Sequence, residues 1–292
     1  MQWENRRLKV DTEKKYHVHI SSTHRWYKMN FKEIFEYRDL IWLFTKRNYT
    51  LTFKQTILGP IWIFLNPFIT SVVFAFVFGG IAGINTDGVP QILFYMSSNA
   101  LWTYFSECVN KNSGTFVTNA NLFGKVYFPR LTVPISNAFS SVIRFGIQMI
   151  MVTALLIYYV VIGNVAPNWN MWICIPIVIL QLGILGTGVG IVISSLTTKY
   201  RDLFIVVGFG VQLWMYATPI VYPLSQLENG SIRNILLINP VTMPIELFRY
   251  ALLGEGTIVL ESVILSWSVT IIVIVFGMMI FNHVEKTFMD TV

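Results

Sequence analysis

Six stretches of the chain are apolar for long enough to cross a bilayer: roughly residues 61–84, 92–117, 134–162, 171–195, 203–222 and 261–282. A helix needs about 20 such residues to pass a hydrocarbon core of ~30 Å. Ahead of the first stretch, Ile34, Tyr37, Ile41 and Phe44 recur at helical spacing while Glu36, Asp39 and Lys46 point elsewhere. That pattern predicts a helix lying in the membrane interface over 31–56. Residues 1–30 read as a polar tail. Between the fifth and sixth stretches, "NPVTMPIELFRYALLG" is apolar but too short to cross. Irregular backbone is not tolerated in lipid, so this part reads as a re-entrant or interfacial helical pair. The prediction is an all-α membrane protein: a tail (1–30), an interface helix (31–56) and a six-span domain (57–292).

Composition supports this and adds direction. Of 292 residues 54% are hydrophobic and 12% charged, with a mean hydropathy of +0.58; soluble domains carry about 25% charged residues. No short apolar core with a small-residue cleavage site opens the chain, so no signal peptide is read there. Of the 21 Lys and Arg, 17 fall on one side of the spans and only Arg233 and Arg249 on the other. Basic residues accumulate on the cytoplasmic side, which puts both termini there. The net charge of +6 then reports topology and does not call for nucleic acid.

Polar residues inside the spans are organised. Successive helical residues lie 100° apart, which gathers Tyr95, Asn99, Trp102, Thr103, Ser106, Asn110 and Ser113 on one arc of the second span. Asn137, Ser140, Ser141, Arg144 and Gln148 do the same on the third. Groups of this kind are costly at membrane depth unless they face protein or a watered path. Either the two faces satisfy each other, or they line a conduit for something polar. Aromatic rings among hydroxyls and amides suit sugars, whose C–H faces stack while their hydroxyls seek partners. Glu107 and Arg144 each lie about ten residues from the same membrane face, at similar depth by the 1.5 Å helical rise, and are expected to pair. Gly186 and Gly190 permit close helix contact, either local packing or a dimer seam. Asn66-Pro67 and Thr218-Pro219 are expected kinks.

No phosphate-cradling G-x-x-x-x-G-K-[ST], no H-E-x-x-H and no G-x-S-x-G occurs. Cys108 and Cys174 read as small core residues, and His17, His19, His24 and His283 do not gather on a span. No catalytic residue or metal site is expected, nor any cofactor on this chain. A conduit with its energy source elsewhere needs a mechanical contact on its cytoplasmic face. "NLFGKVYFPRLTVP", residues 121–134, suits that role as a short amphipathic helix. Lys125 and Arg130 would stay at the polar surface while Leu122, Phe123 and Phe128 dock into a partner's apolar cleft, with Pro129 and Pro134 closing the element.

Four stretches in order carry a family resemblance over about residues 31–290: "LFTKRNYTLTFKQTILGPIWIFLNP", "NLFGKVYFPRLTVP", "TTKYRDLFIVVGFGVQLWMYATPIVYP" and "INPVTMPIELFRYALLG". The chain resembles the permease subunit of type-2 ABC exporters, in the branch that exports lipid-linked O-antigen, capsule or teichoic acid. It departs from the family at Gly124, which precedes Lys125 where a second basic residue is common, and in its longer N-terminal extension.

The resemblance implies a homodimer in the bacterial cytoplasmic membrane, bound to two copies of an ATPase subunit that carries ATP and Mg. A polyprenyl-diphosphate-linked glycan would be threaded through an aromatic channel. It further implies coupling to the ATPase through Leu122, Phe123, Lys125, Tyr127, Phe128, Pro129 and Arg130. Channel candidates are Trp62, Phe68, Tyr95, Asn99, Trp102, Phe105, Ser106, Trp214 and Tyr216. Arg47, Lys54, Arg201 and Asp202 match cytoplasmic positions where lipid phosphates or the ATPase would be met. Pro219, Tyr222, Pro223, Asn239, Pro240, Pro244, Glu246 and Arg249 match the external gate. An efflux permease for a drug, lipid or peptide, a polyprenyl-lipid transferase and a non-energised channel are the alternatives.

Overall fold

The structure, a computed structural model, describes residues 31–54, 59, 61–198, 200, 202–227 and 230–291. The polar tail with its three histidines, the end of the 31–56 segment, the start of the six-span domain and Arg201 lie outside the described residues. Among those described there is no strand. The chain opens with α1 (Phe31–Glu36) and α2 (Arg38–Phe53), so the single interface helix expected is broken at Tyr37. Next come α3 (Ile61–Phe74), which passes into a π-helical stretch Ala75–Ile81, then α4 (Gln91–Ser113) and α5 (Thr115–Phe123). They are followed by α6 (Thr132–Ile162), α7 (Cys174–Thr197) and α8 (Leu203–Tyr216). The series ends with α9 (Ser231–Ile238), α10 (Thr242–Leu253) and α11 (Leu260–Thr291).

The six apolar stretches do not become six equal spans. Among the described residues four helices are long and apolar enough to cross: Ile61–Ile81, α6, α7 and Leu260–Glu285 within α11. The second stretch, α4, has 23 residues but carries Asn99, Glu107, Asn110, Lys111 and Asn112. It answers this by burial, packing against α3, α6, α7, α8 and α10 at the centre of the bundle. The fifth stretch ends early. α8 has 14 residues, a rise of about 21 Å, because Pro219 lacks an N–H and drives Thr218 from the helical region. Residues 217–223 continue as turns, with Thr218, Pro219, Ile220, Val221 and Pro223 buried. α9 and α10 form the short apolar pair, bent by 89° at Asn239-Pro240.

Glycine brings α7 against its neighbours. A Cβ at Gly190 would sit 2.8 Å from the Val109 carbonyl and 2.6 Å from Asn112 Cβ, and one at Gly186 would sit 3.0 Å from the Phe105 carbonyl. On the other face, Gly188 would meet Ile274 Cα at 3.1 Å, and a Cβ at Gly277 would meet the Gly188 carbonyl at 3.0 Å. The Gly186/Gly190 face is therefore used inside the chain, between α7 and α4. Gly190→Leu is expected to cost about 1–3 kcal/mol or more by overpacking, read as a lower thermal midpoint in detergent. Gly208→Leu, whose Cβ would meet nothing within 4 Å, is the control that should leave the midpoint in place.

Two ends can now be distinguished. One, rich in basic residues, gathers α1, α2, α5, the 124–131 turns and the end of α11 around Phe44, Phe116, Phe123, Phe128 and Phe281. The other holds the 163–173 connection and the α9–α10 pair.

Candidate functional site

At the basic end the segment 121–134 is not one amphipathic helix. α5 stops at Phe123, Gly124 caps it, and 124–131 runs as turns. This reverses the expected facing. Phe123 and Phe128 are 3% and 4% exposed, with ring centroids 5.8 Å apart and Phe44 5.6 Å from Phe128. Arg130 is also buried. Its Nη1 donates to the Glu285 carbonyl at 2.5 Å, its Nε lies 3.6 Å from Glu285 Oε1, and its guanidinium rests 5.5 Å from the Phe123 ring. Burial lowers the Arg130 pKa and the Glu285 carboxylate opposes that shift. Leu122 and Pro129 are half-buried, and Pro134 is buried in the first turn of α6. What projects is Lys125, Val126 and Tyr127, the last two 55% and 80% exposed. The apolar residues read as docking into a partner instead pack the chain's own core, an aromatic cluster that Phe44 of α2 and Phe281 of α11 complete.

In the bundle, the faces of α4 and α6 meet in part. Arg144 pairs with Glu107. Lys111 Nζ donates to Glu107 Oε2 at 3.2 Å, Ser140 Oγ at 3.3 Å and Ser141 Oγ at 3.2 Å. Below them a chain of amides joins four helices. Asn48 Nδ2 donates to Asn137 Oδ1 at 2.8 Å, Asn137 Nδ2 to Asn112 Oδ1 at 3.0 Å, and Asn112 Nδ2 to Thr187 Oγ1 at 3.4 Å. The rest of the α4 arc stays half-open: Thr103, Ser106, Glu107, Asn110 and Lys111, three and four residues apart, form one half-buried polar stripe.

The nine channel candidates do not surround a common space. Tyr95, Asn99, Trp102 and Phe105 are buried; Tyr95 packs on Phe74 at 6.1 Å, and Trp102 and Phe105 pack on Trp214 at 6.4 and 5.2 Å. Ser106 and Trp214 are half-buried, while Trp62, Phe68 and Tyr216 sit on outer surfaces of α3 and α8, 49%, 40% and 52% exposed. Aromatic side chains near α4 fill its packing gaps, and the open part of its arc is polar. Of the proposed entry residues, Arg47 is exposed with its guanidinium 4.8 Å above the Phe44 ring, and Lys54 and Asp202 are exposed just after α2 and just before α8.

The residues matched to an external gate are held together at the far end. Asn239 accepts from Trp214 Nε1 at 3.1 Å and donates to the Ala217 carbonyl at 2.8 Å and Thr218 Oγ1 at 3.0 Å. It thus staples the end of α8 to the α9–α10 bend. The Pro240 carbonyl accepts from Ser266 at 2.5 Å, and the Tyr222 hydroxyl donates to the Tyr216 carbonyl at 3.3 Å. Pro219, Pro223 and Pro244 are buried. Glu246 and Arg249 pair, each side chain 1% exposed. Glu246 Oε2 also accepts from the Thr257 amide at 2.9 Å, and Arg249 lies 4.5 Å from the Phe94 ring centroid. Sequence reasoning missed the amide chain, the Asn239 staple and the Arg130–Glu285 contact, whose partners lie on helices far apart in the chain. Among the described residues no group of three or more His, Cys, Asp or Glu gathers to hold a metal ion.

This all-helical arrangement has a counterpart among known families. The model of the ABC-2 type transporter family matches residues 39–253, and the chain belongs to that family: it is a transmembrane permease of the ABC transporter type. Among its relatives is an O-antigen export system permease protein RfbA of Klebsiella pneumoniae, 25% identical over 253 residues, 86% of this chain and 94% of the relative. A protein of the same name from Myxococcus xanthus is 26% identical over 214 residues, 72% of this chain and 78% of the relative.

Proposed function

We propose that the chain is the permease subunit of an ATP-driven exporter that carries a lipid-linked polysaccharide across the bacterial cytoplasmic membrane. In this reading it works as a homodimer with two copies of a separate ATPase, which binds ATP and Mg, and both termini are cytoplasmic. The observation that carries the reading is the half-open polar stripe of α4, the helix at the centre of the apolar bundle. Hydroxyls and amides left partly unpacked there suit a cargo rich in hydroxyls and would serve a lipophilic drug badly. The O-antigen export permeases among the relatives point the same way. Lys125, Val126 and Tyr127 supply the contact with the motor, and the amide chain from Asn48 to Thr187 ties α2 to the bundle beside the stripe. The aromatic core beneath the contact joins it to α2 and α11.

The test is deletion of the gene in its native host with tagged complementation. Loss of surface polysaccharide, accumulation of its lipid-linked form inside the cell, and co-purification of a P-loop ATPase with the tagged chain are the expected results. A co-purifying ATPase with surface polysaccharide unchanged and drug sensitivity raised would instead favour an efflux permease.

A further inference from the structure

Between α4 and α6 two cations share one carboxylate. Arg144 pairs with Glu107, and Lys111 Nζ lies 3.2 Å from its other oxygen. Glu107 is the only acidic residue between Asp87 and Asp202 in the sequence, so α4, α5, α6 and α7 contain no second one. α3 and α8, which also pack on α4, contain none either, and Glu246 of α10 is paired with Arg249. Among the described residues, two positive groups against this one negative leave a surplus positive charge.

A lysine in the last turn of a helix is ordinary, since the terminal carbonyls attract a cation and the long side chain can reach out to the membrane surface. Lys111 does the opposite. Its ammonium turns back one helical turn to Glu107 and across to Ser140 and Ser141, whose hydroxyls already donate to the Asn137 carbonyl at 2.8 and 3.1 Å. The cluster is not sealed: the side chains of Lys111, Glu107 and Arg144 are 27%, 17% and 19% exposed, beside the half-buried Ser106 and Asn110. Two cations held inward on one shared carboxylate, and open on one side, are arranged for an anion brought by something else.

We propose that Lys111 and Arg144, with Ser140 and Ser141, form a binding site for a phosphate-bearing group in the half of the bundle nearer its basic end. Glu107 holds the two cations in place when the site is empty. An arriving phosphate oxygen replaces neutral hydroxyl acceptors on Lys111 with an ionic one, a substantially stronger hydrogen bond. The inference rests on the export reading only for the cargo, whose lipid diphosphate is one source of this chemistry; an anionic phospholipid headgroup is the other.

The test is native mass spectrometry of the purified full-length chain, titrated separately with undecaprenyl diphosphate, uncharged undecaprenol, dioleoylphosphatidylglycerol and inorganic pyrophosphate. Wild type is expected to retain the diphosphate lipid far better than undecaprenol; equal retention overturns the site without any variant. Lys111→Gln leaves Glu107 and Arg144 as a neutral pair, so it should keep its thermal midpoint while binding the diphosphate about tenfold more weakly or worse. Unchanged affinity in a folded Lys111→Gln protein also overturns it. Glu107→Gln, which raises the surplus, should bind more tightly. Lys111-dependent retention of phosphatidylglycerol at equal strength supports the site and assigns it to membrane phospholipid. Failure of the export reading is seen separately, in surface polysaccharide and ATPase co-purification, neither of which enters this assay.

Discussion

Val126→Asp combined with Tyr127→Asp is expected to leave a folded, monodisperse permease that no longer retains its ATPase, with export falling to background. Both side chains are exposed at the turn tip, 55% and 80%, so their loss removes little internal packing, and surface changes of this kind usually stay within about ±0.5 kcal/mol. Two carboxylates beside Lys125 would turn the charge of the tip from positive to negative and block apolar docking. Phe123→Asp should fail differently. Phe123 is 3% exposed between Phe116 and Phe128 and beneath the Arg130 guanidinium. Truncating a buried Phe costs about 3–5 kcal/mol before any charge is buried, so gel filtration should show aggregation instead of a clean loss of partner. If the tip variant still co-purifies with the ATPase and exports at the normal rate, the contact lies elsewhere.

Arg249→Leu is expected to lower stability by about 3–5 kcal/mol, because it leaves the Glu246 carboxylate buried without its counter-charge. Both side chains are 1% exposed. Arg249 Nε and Nη1 make no hydrogen bond among the described residues, so the pair and the Phe94 ring face hold this cation. Glu246 has a second duty to the Thr257 amide. Combining Arg249→Leu with Glu246→Gln removes the stranded charge yet keeps an acceptor for that amide, and should recover most of the thermal midpoint. Glu246→Leu in the same background should recover less, by about 1–3 kcal/mol for the orphaned N–H. Equal midpoints for the two doubles would mean that the Thr257 contact contributes nothing.

What could be read from the chain alone divides along physical lines. α3, α6, α7 and α11 are continuous apolar runs, and length with hydropathy is enough to find them. The bend between α9 and α10 follows from an apolar run too short to cross and broken by Asn239-Pro240. α8 was overextended because Thr218-Pro219 reads equally as a kink or an end, and only the buried turns beyond it decide. The facing of 121–134 was lost for a deeper reason. A helical wheel assigns sides to Phe123, Phe128 and Arg130, but the segment is turns, and its sides are set by Phe44 and Glu285, remote in sequence. Counting helical rise gives Glu107 and Arg144 one depth; it does not show that Lys111 folds back to join them. The buried Tyr95, Trp102 and Phe105 share the α4 arc with Ser106, and no periodicity distinguishes a ring that lines a path from one that fills a gap.

The glycine contacts of α7 have a mechanical consequence. Packed helices slide past one another when interdigitating side chains can change rotamer, the small shear steps from which larger rearrangements are assembled. Where Gly186 and Gly190 approach the α4 backbone, and Gly188 and Gly277 bring α7 against α11, the glycines themselves contribute no side chain that could change rotamer. α4, α7 and α11 therefore behave as one stator. α8 is attached more lightly, through Val207, Val211, Met215 and half of Trp214 with the Phe204 ring beside Gly114, and its Gly208 and Gly210 face open space. Any widening beside the polar stripe is then expected to come from a swing of α8 about its Asn239 staple, with the α4 wall standing still.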